Sequence, residues 1–353
     1  MDAVVREDIV FVGDVHLGRR PVGLDAALEE LHLRPSQLSP AEALARTVRH
    51  ALDDPPRAVV FAGDLVDQDD DAFEAFAILE REVQRLERAG IPVFAIAGNH
   101  DGLVLPKLVA RVPGVQLLGE GGRWQRVELP ADSPGSRAVD LVGWSFPARH
   151  FQTCPLDQGG LDEALAGRRP GALVLGVLHG DLDAASSSYG PVPRRRLEQA
   201  GLDGWFLGHV HQPGDLATER PIGYLGSLVG MDPGETGRRG AWRVTPTAGG
   251  LRARQLDLGP VRWEHLNVDL EPDQAVDSFT LHAHLQAEVE RQLGADATFD
   301  ASHQRLVVVR ADLTGRLPER AGVRELVQAC RQAPITFQAA GTDVVVQRLY
   351  DRT

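Results

Sequence analysis

Five short blocks hold most of the chemistry this chain can do: Gly13-Asp14-Val15-His16, Gly63-Asp64, Gly98-Asn99-His100-Asp101, His179-Gly180 and Gly208-His209-Val210-His211. They supply carboxylates, an amide oxygen and imidazoles, a donor mixture that suits Mn, Fe or Zn better than Ca or Mg. No Ser or Cys stands out as a nucleophile. Two divalent ions about 3.5–4 Å apart can activate water at neutral pH and clamp a phosphoryl group, so the chemistry would be hydrolysis of a phosphoester. Singly the blocks say little, since Gly-Asp often just ends a strand in a turn. Five in a fixed order, each after an apolar run, are hard to reach by chance.

The elements that must position these blocks can be read from periodicity. Residues 8–14, 57–63 and 91–97 are short apolar runs, rich in β-branched residues, as buried strands require. Ser39-Pro40-Ala41-Glu42 starts a helix, with Ser as N-cap and Glu three residues later. Over residues 71–89, Phe73, Phe76, Leu79, Val83 and Leu86 form a helical stripe that Gly90 ends. Strand, helix, strand, helix, strand without hairpins implies parallel βαβ units, and Asp14, Asp64 and Asn99 stand at strand C-terminal ends, where such sheets bind ligands. Residues 115–144 read as several strands, broken at 119–122 and 130–136. Residues 171–178 and 204–208 are buried strands that each run into a His block, and strand-like pieces follow at 220–228 and 241–245. Two layers of mixed sheet flanked by helices fit this run. Composition changes near residue 260, and the tail reads as a β-α-β-α-β unit with helices at about 273–293 and 319–332. The expected domains are 1–258 and 259–353.

The ordered blocks, spanning residues 13–211, resemble those of the calcineurin-like metallophosphoesterases. With Gly98-Asn99-His100-Asp101 and the trailing small domain, the chain resembles more narrowly the DNA-repair nuclease subunits of the Mre11/SbcD group. The resemblance implies an α/β fold: a two-layer mixed β-sandwich flanked by helices, with a small C-terminal α/β capping domain. It implies that Asp14, His16 and His211 hold one metal, that Asn99, His179 and His209 hold the other, and that Asp64 bridges them. His100 would contact the scissile phosphate and stabilise or protonate the leaving oxygen, and Asp101 would orient it. The implied activity is exo- or endonuclease cleavage of DNA by in-line attack of a metal-bridging hydroxide, with Mn as the family's ion. The implied partners are DNA, a second copy in a homodimer, and an ATPase of the SbcC/Rad50 type. The stretch after the small domain reads as too short for the further helical segment that grips such an ATPase.

Around the blocks the reading is less specific. Asp67 lies where some members of the nuclease group carry a His that helps set exonuclease geometry. Here it would cap the following helix, the preferred reading, or position His100 or a basic substrate group. Arg19 and Arg20 follow the first block and would sit near the cleft, and residues 18–38 form either a lid or a plain surface excursion. Tyr189 would stack on a base or simply complete a turn. The Arg194-Arg195-Arg196 triplet is the best candidate for phosphate contacts, against the plainer reading of a solvated surface. The remaining histidines, His32, His50, His150, His265, His282, His284 and His303, read as surface or packing residues.

Bulk properties bound the rest. The 353 residues suit one large domain and one small one, with 43% hydrophobic and 25% charged residues. A net charge of −13 argues against a non-specific nucleic-acid coat, although bound divalent ions would offset part of it. Lys107 is the single lysine, so Arg does the cationic work and suits bidentate phosphate contacts. Cys154 and Cys330 form no CxxC pair, which fits a reducing cytoplasm. Residues 1–7 do not read as a signal peptide, and no stretch approaches a membrane span. The alternative to a DNA nuclease is a phosphatase or phosphodiesterase for a small nucleotide-like ester. A closed pocket would favour that ester and an open Arg-bordered groove a polymer.

Overall fold

The computed structural model describes residues 6–68, 71–129, 136–271, 277–296, 299 and 301–353. The break expected at 130–136 and the start of the helix expected at 273 fall largely outside them. The first apolar run becomes β1 (Ile9–Val12), buried at every position. After α1 (Asp25–Glu30) and α2 (Pro40–Asp53) come β2 (Ala58–Ala62), α3 (Ala72–Arg88), β3 (Val93–Ile96), α4 (Leu105–Val109) and β4 (Val115–Leu117). The Ser39 cap of α2 forms: the Glu42 N–H donates to Ser39 Oγ over 3.3 Å. Strands β1 to β4 pair in parallel, as strand–helix–strand crossovers demand.

A second sheet follows, from β5 (Trp124–Leu129), β6 (Val139–Trp144), α5 (Leu161–Ala166), β7 (Leu173–His179), α6 (Arg194–Gln199), β8 (Gly204–Gly208) and β9 (Ile222–Tyr224). Its order is β5-β6-β7-β8-β9, parallel from β6 onward. The chain then returns to the first sheet through β10 (Trp242–Pro246) and β11 (Leu251–Gln255), both antiparallel to their neighbours, for an order of β11-β10-β1-β2-β3-β4. The two mixed sheets share one core. Alternate residues Ile9 and Phe11, Ala58 and Val60, and Phe94 and Ile96 meet Leu175, Val177 and Phe206 from the other sheet. Phe11 and Phe206 stack across it with ring centroids 4.1 Å apart. The outer face of the second sheet buries Trp124, Trp144, Phe146 and Trp205 with Leu161 and Leu197 of its helices.

One buried strand position is an acid. Asp140 of β6 is fully buried, which is costly unless its charge is matched. Arg126 donates to it over 2.7 Å, and Arg169 donates to it as well as to the Leu129 and Val139 carbonyls.

The C-terminal part consists of β12 (Val261–Asp269), α7 (Ser278–Ala295), β13 (Leu306–Thr314), α8 (Ala321–Gln332), β14 (Ile335–Ala339) and β15 (Thr342–Asp351), with sheet order β12-β13-β15-β14. It differs from the expected β-α-β-α-β by one strand. β14 and β15 form a hairpin over Ala340-Gly341, both at positive φ (49° and 83°). Such two-residue turns usually announce themselves as Asn-Gly or Asp-Gly, and Ala at the first position hides this one.

The chain divides into two compact units. One comprises Met1–Arg19, Leu44–Leu228 and Gly240–Leu256; the other comprises Arg20–Ala43, Val229–Arg239 and Asp257–Thr353. Most of the segment considered as a lid therefore belongs to the second unit. There Glu30 bonds Thr336, and the Gly23 carbonyl accepts from Gln347.

Because Phe11 and Phe206 lie on the strands that lead to the first and last blocks, Phe206→Ala should lower stability by about 3–5 kcal/mol. The measurement is the urea midpoint, and an unchanged midpoint would show that the sheets do not depend on this stack.

Candidate metal centre

The strand ends of both sheets in the first unit bring the five blocks together. Asp14 and His16 follow β1, Asp64 follows β2, and Asn99 and His100 follow β3; His179 closes β7, and His209 and His211 follow β8. Three overlapping groups have donor atoms within 4.8 Å of one another: Asp14, His16 and His211; Asp14, Asp64 and His179; and His16, Asp67 and His100. Asn99 joins them, with Oδ1 3.0 Å from His179 Nε2 and 2.9 Å from His209 Nδ1.

Close approach explains the glycines. A Cβ on Gly98 would lie 2.1 Å from Asp64 Oδ1, so only glycine lets the Asp64 carboxylate rest on the end of β3. A Cβ on Gly208 would lie 2.3 Å from the Ala62 carbonyl, where the two sheets touch. Three of the candidate residues bend sharply. His16, Asp64 and His209 have φ values of 53°, 48° and 100°, conformations that cost of order 1–3 kcal/mol each. Backbone bonds hold them there: the His16 and Val15 N–H groups donate to the Asp64 carbonyl over 2.9 and 3.1 Å, and the His209 N–H donates to Asp14 Oδ1 over 2.8 Å.

Hydrogen bonds also set the tautomers. His179 Nδ1 is 3.0 Å from the Ala62 carbonyl, which can only accept, so Nδ1 bears the proton and Nε2 faces Asp64 at 3.3 Å. His209 Nε2 lies 3.2 Å from Asp181 Oδ1, which leaves Nδ1 toward Asn99. Asp64 and His179 are a buried, interacting pair. Burial alone would raise the carboxylate and lower the imidazole. Their mutual attraction wins, helped by His16 and His100 around Asp64 and by Asp14 beside His179. Asp64 is held well below the usual carboxylate range and His179 is lifted to about 9.

The arrangement fits divalent cations. Asp14 Oδ2 is buried and has no hydrogen-bond partner among the described residues. The Nε2 atoms of His16 and His211 face each other at 2.9 Å, where at most one can donate to the other. A cation between such groups would satisfy lone pairs that are turned toward one another, and it would take the place of the His179 Nε2 proton.

Two expectations change here. Asp101 does not orient His100. Fully buried, its carboxylate accepts from Gly98 N over 2.8 Å and Leu65 N over 2.7 Å, tying the second block to the third. Burial, with Asp64 adding to it, pushes its pKa up to about 7. Nor does Asp67 cap α3, whose N-cap is Asp71. The Asp67 carbonyl accepts from His100 Nδ1 over 2.7 Å, and its carboxylate lies 2.9 Å from His16 Nδ1. That contact with His16 is the main reason its pKa is lowered. His100 thus keeps Nε2 free of this bond, and 43% of its side chain is exposed.

Around this centre, Arg19 is half-buried, and its charge acts on Asp67. Arg20 is exposed and belongs to the second unit. Tyr189 packs against His209, with ring centroids 5.1 Å apart, and against His150. The Arg triplet is mostly spent on the protein itself. Arg194 donates to the Ile222 carbonyl and pairs with Asp183, and Arg196 bonds Asp157, while Arg195 is exposed. The residue that sequence reasoning did not single out is Asp181, which accepts from Ser187 as well as facing His209. Its only signal was its place two residues after His179.

Gly98→Ala should leave the far-UV circular dichroism unchanged but weaken divalent-metal binding by about 10–100-fold. The metal content of dialysed protein reads this directly, and wild-type metal content in the variant would contradict the packing argument.

Comparison with known proteins agrees with this geometry. Residues 8–213, more than half of the chain, match the calcineurin-like phosphoesterase family. A Bacillus subtilis protein described as an uncharacterized metallophosphoesterase, YhaO, is 27% identical over 289 residues, covering 74% of this chain and 64% of that protein. Two archaeal proteins, each described as DNA double-strand break repair protein Mre11, are also similar. The one from Aeropyrum pernix is 28% identical over 237 residues, covering 62% of this chain and 53% of its own length. The one from Sulfurisphaera tokodaii is 32% identical over 96 residues, covering 27% and 22%. The chain spans less than two thirds of each of these relatives. By its matched residues and the blocks they contain, the chain belongs to the calcineurin-like phosphoesterase family.

Proposed function

We propose that this chain is a dimetal phosphodiesterase that cleaves DNA, as an exo- or endonuclease in repair. The observation that carries the reading is the contrast between a buried ligand cluster and one exposed imidazole at its edge. Asp14, His16, Asp64 and His179 are almost fully buried, whereas His100 is close to half exposed. Asp14, His16 and His211 would hold one ion and Asn99, His179 and His209 the other, with Asp64 between; Mn is the first candidate, then Fe or Zn. Bound there, divalent ions lower the pKa of water and neutralise charge on the phosphoryl oxygens.

The protein's own groups do the rest. His100 is fixed through Nδ1 to the Asp67 carbonyl, so its Nε2 is the atom offered to the leaving oxygen, to which the ring, when protonated on both nitrogens, donates the Nε2 proton and returns to neutral. Asp67 and Arg19 set the charge around that imidazole. DNA as substrate is supported by the two relatives described as Mre11. A homodimer and an ATPase partner of the SbcC/Rad50 type belong to the same reading. Among the described residues no helix is long and apolar enough to cross a membrane.

The purified chain with Mn should cleave labelled single- or double-stranded DNA and turn over bis-p-nitrophenyl phosphate. His100→Asn should lower kcat on both by about 10²–10⁴-fold, with metal content retained. Turnover of the small diester without any DNA cleavage would favour a nucleotide-like ester and sink the DNA reading. Full activity in His100→Asn would remove the role given to that residue.

A further inference from the structure

The second unit has a cavity of about 260 Å³, lined by Arg310, Cys330, Arg331, Gln347, Arg348 and Leu349. Its position follows from the sheet. β14 pairs with β15 only as far as Val346, so residues 347–351 have a strand neighbour only on the β13 side. Between Val309 and Arg310 the β13–β15 register slips, and Gln347 becomes the extra residue. The slip sets Arg310 directly opposite Arg348. Bulges re-aim side chains, and like charges directly opposed across strands are destabilising. Arg331, in the last turn of α8, adds a third guanidinium from the helix that packs on β15.

Among the described residues Arg310 donates to the neutral Gln347 amide oxygen over 2.8 Å, and Arg348 lies over the Tyr350 ring at 5.8 Å. No carboxylate of the described residues forms an ion pair with Arg310, Arg331 or Arg348, and none lines the cavity. Arg126, Arg169, Arg243 and Arg262 each find an acid, whereas the three guanidiniums around this cavity face one another without one.

We propose that this cavity binds a phosphoryl group. Planar guanidiniums suit bidentate contacts to phosphate oxygens. The volume falls below the roughly 300–1,000 Å³ of pockets that enclose drug-sized ligands, so it takes one phosphoryl group with its nearest atoms rather than a whole nucleotide. The group comes either from a nucleic-acid backbone or from a small phosphate. The site lies wholly within the second unit and uses none of the residues proposed for catalysis.

The test uses the full chain stripped of divalent ions, so that the metal centre contributes nothing and failure here is separable from failure of the nuclease reading. Inorganic phosphate, a nucleoside monophosphate and a short single-stranded oligonucleotide are titrated separately, with binding read by calorimetry and by the rise in Tm that binding to the folded state produces. At least one should bind wild type, and binding should weaken tenfold or more in the Arg331→Gln/Arg348→Gln variant, both positions being exposed. Arg310→Gln is the independent third variant, checked for an unchanged circular dichroism spectrum. Tighter binding of the oligonucleotide than of phosphate assigns the site to a backbone, and equal binding assigns it to a small phosphate. No binding of any of the three to wild type, or equal binding by the folded variants, overturns the proposal.

Discussion

The backbone carbonyl of Ala62 joins the two sheets at the point where their functional side chains meet. It accepts the Nδ1 proton of His179 from the second sheet over 3.0 Å, and Gly208 of the same sheet lies so close that a Cβ there would fall 2.3 Å from it. This contact sets the tautomer of His179, and with it the direction of Nε2 toward Asp64 and Asn99. It also fixes how near the strand ends of β2 and β8 come, and hence whether donors from five blocks can share one site. The Phe11–Phe206 stack and the shared apolar core hold the sheets in register, and the Ala62 contact turns that register into chemistry.

A buried cluster of carboxylates and imidazoles is expensive unless its charges are matched. The protein matches them in layers. Asp14 takes a backbone N–H from His209, Asp64 takes one from His100, and Asp101 takes two, from Gly98 and Leu65. The carboxylates that remain directed inward meet imidazoles already oriented from behind, His179 by Ala62, His209 by Asp181 and His16 by Asp67. Positive φ at His16, Asp64 and His209 adds local strain, which persists because the same hydrogen bonds over-determine the backbone.

Much of this was legible in the sequence, for a physical reason. A ligand at the end of a buried parallel strand needs an apolar run before it and often a small residue beside it, so each block carries its own context. The double-layer α/β fold followed from the same runs. What stayed hidden involves groups that side-chain types do not reveal. The Ala62 and Asp67 carbonyls act through backbone atoms. Asp101 looked like a partner for its neighbour His100, but its burial and two backbone donors turn it inward. The Arg194-Arg195-Arg196 run looked like a cationic surface because Asp183 and Asp157, its partners, lie 11 and 39 residues from the arginines they hold. In the second unit, Ala340 concealed a hairpin, and the attachment of residues 20–43 depends on contacts more than 300 residues apart in the chain.

The proposed function requires two divalent ions side by side at the strand ends of the two sheets, with Asp64 between them. Anomalous diffraction at the Mn edge, from crystals of the full chain grown with Mn, tests it most directly. Two peaks about 3.5–4 Å apart are expected, one contacted by Asp14, His16 and His211, the other by Asn99, His179 and His209. A single peak, or peaks bound by other residues, would contradict it.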